Sequence, residues 1–496
     1  WKDPRKMKRK RASGELGDEY ARQIGCLNKT FQRWIRSNEK ANPLATWEEG
    51  CQDYVTFAEQ LKERYCMTGT AASFGTGDCG QLGFGVEEGE EDMFVVAPRV
   101  IDTLKDKDIS AIASGGMHNA VVCRDDGTVW TWGCSDNECL GRDGDENYPA
   151  PVQGLAQKMF VLQVSAGDCH TVALGLNGEV YIWGAYKDKD GKNFFPMKDS
   201  SSSFKHEQRD PVYVPIVSDV STHGGATQIA SGAHHTLVLC GDGTVYSWGI
   251  GDSGQLGRPV GEIKDKEGVY LKDTIFTDHL TPSVMRYEGT GATEVNNARY
   301  VACGGHHSFV IQAVRSRVFG CGLNQYSQLG FVSKLKQPDS NGAGGGKTQD
   351  SLRHITGLDK LGVSSVHGGE HSSVVVTHDG YVYTFGRSDN GQLGVPPSDT
   401  IDEAGGSTHV PQLVKFDPPA RIVSACAGSF HCAAISSDDT MYTWGFGESG
   451  QLGLGKPPKV LYPPNEHTPK MLKNSMNQPL RICASSAGAQ HTLILQ

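Results

Sequence analysis

The chain has 496 residues, 57 acidic against 47 basic, for a net charge of −10. No apolar stretch approaches the roughly 20 residues of a membrane helix and no secretory signal pattern is visible, so no membrane partner is expected. Sixty-two glycines beside 8% aromatics point to many tight turns between short strands rather than to long helices. Fourteen cysteines run from Cys26 to Cys483 without a CxxC pair, which argues against zinc ribbons and redox motifs and fits a reducing compartment. The chain opens on Trp1 rather than Met, which points to residues upstream.

Residues 1–11, WKDPRKMKRKR, carry seven basic groups and one acid, leaving −16 on residues 12–496. A basic arm on an acidic body suits a tail that finds polyanions or an import receptor. Lys2, Arg5, Lys6, Lys8, Arg9, Lys10 and Arg11 fit a nuclear import signal and also fit contact with DNA phosphates. Residues 1–14 are expected to be a disordered basic tail. Over 15–67 a helical extension is expected, because Ile24, Leu27, Phe31, Trp34 and Ile35, then Trp47, Tyr54, Phe57 and Leu61, recur at helical spacing. Pro43 breaks the pattern, and Thr46 before Glu48 and Glu49 suits an N-cap with acids in the first turn. These helices either cap the main domain or offer a separate partner site.

Over 68–496 three motifs repeat. An aromatic-Gly (once Cys-Gly) closes eight residues on with a Gly in FGTGDCGQLG from Phe74, WGCSDNECLG from Trp132, WGIGDSGQLG from Trp248, CGLNQYSQLG from Cys321, FGRSDNGQLG from Phe385 and WGFGESGQLG from Trp444. A seventh copy, WGAYKDKDG from Trp183, never reaches its closing Leu-Gly. Gly-x-x-His opens an apolar run at Gly115–His118, Gly167–His170, Gly232–His235, Gly304–His307, Gly368–His371, Gly428–His431 and Gly488–His491. Between them, turns such as DDGTVWTWG and GDGTVYSWG pair an Asp-Gly with alternating Val, Tyr and Trp, the pattern of a hairpin into a half-buried strand. Units 51 to 73 residues long are thus several short antiparallel strands each. The first unit lacks its inner strands and the last its outer ones. If the array closes on itself they complete each other, which predicts an all-β, seven-bladed propeller with a closing blade shared by the two ends.

A histidine in every blade reads as a buried hydrogen-bonding post, since a metal needs several ligands within a few ångströms; no metal and no cofactor are expected. The two residues between Gly and His vary, as a blade-top binding surface would. No Ser/His/Asp or paired-carboxylate arrangement converges. GAGGGK at Gly342–Lys347 lacks the Gly-Lys-Ser/Thr order of a phosphate loop and reads as a linker.

The motif set resembles the repeats of the regulator of chromosome condensation family over roughly residues 68–496. ASGGMH from Ala113, WGCSDNECLGRD from Trp132, VSAGDCHTVAL from Val164 and GLNQYSQLG from Gly322 carry the resemblance furthest. It implies a chromatin-associated nuclear exchange factor for the small GTPase Ran, with the GTPase on one face and nucleosomes on the other. The family's exchange-promoting acid carries over to Asp168 and its histidine to His371, the latter also a repeat His and so open to a structural reading. In the next unit the family's acid is replaced by His234, which with Asp78 is expected to face the GTPase. The interrupted copy then corresponds to a β-wedge, with Tyr186, Lys187, Asp188, Lys189 and Asp190 promoting exchange; a solvated loop insertion is the alternative. Ser200–Ser203 lengthen this segment compared with the family. Family arginines that reach the nucleosome map onto Arg258, Lys264, Lys266 and Lys272, although lysines lack the bidentate fork of arginine. The alternative function is a non-catalytic propeller scaffold binding chromatin or another GTPase. A UV-B photoreceptor of this superfamily would carry Trp in its Gly-x-x-His units, and here none does.

Overall fold

A computed structural model gives the fold, and the description covers residues 69–85, 94–197, 204–260, 273–289, 293–332, 348–396, 406–455, 460 and 462–496. The basic arm from Lys2 to Arg11, the expected helical extension, Ser200–Ser203, the Gly342–Lys347 linker and the loop residues Lys264, Lys266 and Lys272 lie outside it.

Seven four-stranded antiparallel sheets form the seven blades of a propeller. The innermost strands are Ile109–Ser114, Val161–Ala166, Ala226–Ser231, Ala298–Cys303, Val363–Gly368, Ile422–Ala427 and Ala484–Ala487, which open blades 1 to 7 and touch their neighbours around the ring. Blade 7 takes its two inner strands from the C-terminus and its two outer ones, Ala71–Thr76 and Phe94–Val100, from the other end. The register runs from Ala71↔Leu495 to Gly75↔His491, and Thr70 and Gln496 exchange backbone bonds of 3.0 and 3.1 Å. Apolar residues fill the space between each blade and the next. Trp183, for example, packs with Val152, Leu155 and Val161, and Trp444 with Val374, Val414 and Ile422. The aromatic of every aromatic-Gly motif is fully buried. Each following Gly sits against the neighbouring strand. Gly133 (φ 104°) leaves no room for a Cβ, which would meet the Met117 carbonyl oxygen at 2.4 Å.

The second strand of each blade begins on the repeat histidine in six blades but on Ser372 in blade 5. The Gly N–H that donates to the His carbonyl in the other blades (Gly304 N to His307 O, 2.8 Å) is here Gly369 N to Ser372 O, also 2.8 Å. A Cβ on Gly386 would meet the carbonyl of His371, the residue before the post. His371 is therefore not the repeat His: the frame is Gly369-Glu370-His371-Ser372, one residue later than Gly368 suggested. Two consecutive glycines left both frames open, and the strand's hydrogen bonds select the second.

The posts form one relay. His118 Nε2 lies 2.8 Å from Thr171 Oγ1, which donates to the Cys139 carbonyl at 2.9 Å. His235–Ser308–Gln255, His307–Ser373–Gln328 and His431–Thr492–Gln451 repeat it, ending on the closing motif's backbone carbonyl. Because the hydroxyl hydrogen goes to that carbonyl, the imidazole must donate through Nε2–H, which fixes the neutral tautomer. Burial holds His118 and His431 at about 4 and His307 and His491 at about 3. A histidine with a depressed folded-state pKa contributes stability that is complete above its unfolded value near 6.5 and fades as pH falls toward 4. Urea midpoints should therefore hold steady down to about pH 6.5 and drop steeply from there to pH 4. A midpoint flat across that window would contradict neutral posts.

Candidate functional site

At one mouth of the propeller axis the seven loops between first and second strands converge. Their first variable residues, Gly116, Asp168, Ala233, Gly305, Glu370, Ser429 and Ala489, line an axial opening of about 90 Å³. That is space for a few waters of about 30 Å³ each, and too little for a nucleotide. Backbone bonds stitch the rim: Gly116 N to Gly167 O, Asp168 N to Ala233 O, Ala233 N to Gly305 O and Gly305 N to Gly369 O, at 2.9–3.2 Å.

Asp168 is half exposed, with one oxygen 3.7 Å from His234 Nε2. It leans over bare Gly116, where an added Cβ would come within 2.9 Å of it. Partial burial raises its pKa, while His306 and Lys187 pull the other way. His234 is held neutral, at about 3, by burial and then by the charges of His306 and Lys187. His371, released from the post position, packs its ring on Tyr326 at 4.8 Å and faces Phe430 at 6.4 Å. Arg387 covers the same two aromatics and pairs with Asp389. Burial, then Arg387, lowers His371 to about 4, leaving a neutral imidazole at pH 7.

Beside Asp168 the interrupted motif forms a hairpin, Tyr186–Lys187 against Asn193–Phe194. Its base is rigid. Tyr186, Phe194 and Phe195 are buried in the core between blades 2 and 3 with Trp248, Ile250 and Leu280. Where the other blades offer a closing-motif carbonyl, this one offers a phenol: Trp248 Nε1 donates to the Tyr186 hydroxyl at 2.8 Å, and Thr236 Oγ1 lies 2.8 Å from it. Trp132, Trp183 and Trp444 make the same indole bond to the carbonyls of Gln81, Cys139 and Gln392. Asp188 is also buried, and its Oδ1 accepts the backbone N–H of Asp190 and Lys192 at 3.0 and 2.9 Å, building the turn. Lys187 is half-buried, and its charge acts on Asp168, Cys169 and His234. Lys189 and Asp190 stand exposed at the tip.

Asp78 is exposed on the closing blade, two blades from Asp168 and apart from its cluster. Arg258 is a correction. It is 7% exposed, and its guanidinium donates to Ser247 Oγ, Ser247 O and Thr281 O at 3.3 Å, so it is spent inside blade 3 and cannot reach a nucleosome. Arg142 does the same work on the Thr131 carbonyl of blade 1. Sequence reasoning also passed over His306 and Glu370, which join the mouth through His306 Nε2–Glu370 Oε1 at 3.5 Å. The signal lay in the GE of GGEHSS. Among the described residues no group of three or more His, Cys, Asp or Glu is placed to hold a metal, and no helix is long and apolar enough to cross a membrane.

Fold and site together define a closed seven-bladed propeller whose repeats build a ring of variable residues and whose one interrupted repeat raises a hairpin beside it. The chain belongs to the RCC1-like domain family, whose model matches residues 70–494. It is 32% identical to the Regulator of chromosome condensation of Xenopus laevis, over 86% of this chain and 89% of that one. It is 28% identical to the Guanine nucleotide exchange factor SRM1 of Saccharomyces cerevisiae, over 85% and 86%. The crystal structure of Prp20p from Saccharomyces cerevisiae, described with its binding properties to Gsp1p and histones, matches with TM-score 0.71 and 27% identity, covering 86% of this chain and 91% of that one.

Proposed function

We propose that the protein is a guanine-nucleotide exchange factor for the small GTPase Ran, docking the GTPase on the axial face. The observation that carries the reading is the hairpin of Tyr186–Phe194, locked at its base and presenting Lys189 and Asp190 beside Asp168. Relatives named as an exchange factor and as binding Gsp1p and histones support it. Exchange needs no covalent chemistry. A GTPase can hold its nucleotide at picomolar strength, about 16 kcal/mol, largely through phosphate and Mg²⁺ contacts. A factor that prefers the nucleotide-free form weakens nucleotide binding as much as nucleotide weakens the factor. A rigid wedge suits this task because it loses little freedom on docking.

In this reading Asp168 and His371 contact the GTPase, His234 positions Asp168, and Lys187, Lys189 and Asp190 form the wedge surface, with Tyr186 and Asp188 holding it. The basic arm, Lys2 to Arg11, serves nuclear import and DNA or nucleosome contact, which places the protein on chromatin in the nucleus. The test is release of fluorescent GDP from Ran. The protein is expected to accelerate release at least about a hundredfold, equivalent to about 2.7 kcal/mol off the barrier. Binding without acceleration would instead favour a scaffold.

A further inference from the structure

Glu370 and His306 lie outside the residues carried over from the family resemblance, yet they mirror the pair across from them. Glu370 is the first variable residue of blade 5, as Asp168 is of blade 2, and these are the acids among the seven such positions. Blades 2 and 5 are three apart in one direction and four in the other, so the two carboxylates stand nearly opposite each other across the axis. Each is paired with an imidazole, Asp168 with His234 at 3.7 Å and Glu370 with His306 at 3.5 Å, and those two rings lie 6.5 Å apart. Each also leans over a glycine of the preceding blade: a Cβ at Gly305 would come within 2.2 Å of Glu370 Oε2, as one at Gly116 would crowd Asp168.

We propose that Glu370, positioned by His306, is a second exchange-promoting contact of this face, and that it joins Asp168 in receiving a cationic side chain of the docked GTPase. The proposal rests on the exchange reading above. Burial and then the charge of Asp168 push Glu370 up to about 7. Asp168 and Glu370 line the opening; around Asp168 and His234 the charges of His306, Lys187 and Asp188 act, and beside Glu370 stand His306 and His371, the latter under the charges of Arg387 and Asp389. An acid with a raised folded-state pKa stabilises the fold fully below the ordinary glutamate value and loses that contribution as pH rises through about 7. Ionised Glu370 is therefore a cost to the free protein that a bound cation offsets.

The experiment measures kcat and KM for release of fluorescent GDP from Ran between pH 6 and 8, using wild type, Glu370→Gln, Glu370→Asp and His306→Ala. Wild-type kcat/KM should rise with pH through a midpoint near 7, as the carboxylate ionises. Glu370→Gln should lower kcat/KM about tenfold at pH 8 and flatten the profile, while melting no lower than wild type at that pH. Glu370→Asp should recover part of the pH-dependent rise, and His306→Ala should shift its midpoint. If wild type accelerates release and Glu370→Gln matches it in rate and pH profile, the assignment of Glu370 is wrong. If wild type itself accelerates nothing, the exchange reading falls and takes this inference with it.

Discussion

Replacing Lys187–Asp190 with Gly-Ser-Gly-Ser is expected to leave the melting temperature near the wild-type value while slowing nucleotide release from Ran at least about a hundredfold. The two effects separate because the hairpin has two parts. Its base is core: Tyr186, Phe194 and Phe195 fill the gap between blades 2 and 3 and stay in place. Its tip is a turn held by Asp188 Oδ1 on two backbone N–H groups, a task the serine oxygen at position 188 can take over. What the exchange removes is the charged surface of Lys187, Lys189 and Asp190 beside Asp168. A hundredfold loss is about 2.7 kcal/mol of the barrier, within reach of two or three charged contacts made in a docked complex. Stopped-flow release with matched thermal melts decides it. Unchanged release would sink the wedge assignment, and a collapsed melt would show that the tip is structural after all.

Tyr186→Phe is expected to destabilise the propeller by about 2–3 kcal/mol although it deletes a single oxygen. That oxygen serves Trp248 Nε1–H and Thr236 Oγ1, and both are fully buried. Phenylalanine leaves the Trp248 N–H without an acceptor and the Thr236 hydroxyl hydrogen without one, although Thr236 Oγ1 keeps its bond to His170, at roughly 1–3 kcal/mol for each unsatisfied buried donor. The relay from His170, which ends on Tyr186 through Thr236 at 3.1 Å, loses its terminus as well. Tyr186→Ala adds a cavity and should cost more, in the range of about 3–5 kcal/mol. Urea unfolding of the two variants makes the comparison, and a Tyr186→Phe variant as stable as wild type would show that the phenol is not the stand-in for the missing carbonyl.

The architecture was legible in the sequence because its determinants are local and repeated. The aromatic of each motif, the Gly after it and the post histidine recur with chemistry that a strand and a tight approach require. Counting the motifs from both ends also disclosed how the ring closes. The site was legible only in part. Asp168 and the interrupted motif at Trp183 could be found by inspection, since each departs from a fixed frame. His371 was given, beside its expected exchange role, a place among the repeat histidines that belongs to Ser372, because Gly368-Gly369 permits two alignments. The better one could have been chosen from the strand pattern: in the other blades an apolar residue follows the post by two positions, as Ala120, Val172 and Leu237 do, and Val374 satisfies that rule only if Ser372 is the post. Arg258 looked like a surface cation because its burial depends on Ser247 and on Thr281, 23 residues further along the chain. The facing of Glu370 and Asp168 arises from the ring geometry, and no local motif encodes a relation between residues 168 and 370.

Blade 7 also sets an order of events at the ribosome. Ala71–Thr76 and Phe94–Val100 emerge before the strands of the other six blades, yet the strand that Ala71–Thr76 must pair with, His491–Leu495, follows all of those strands. Six blades can collapse as they appear, while these two strands wait with one edge open until His491–Leu495 emerges. The nascent chain therefore carries an adhesive edge while the six intervening blades are translated. His491–Leu495 turns a folded but open arc into a closed ring, and with it brings Asn119 within 3.0 Å of His491 to complete the final relay.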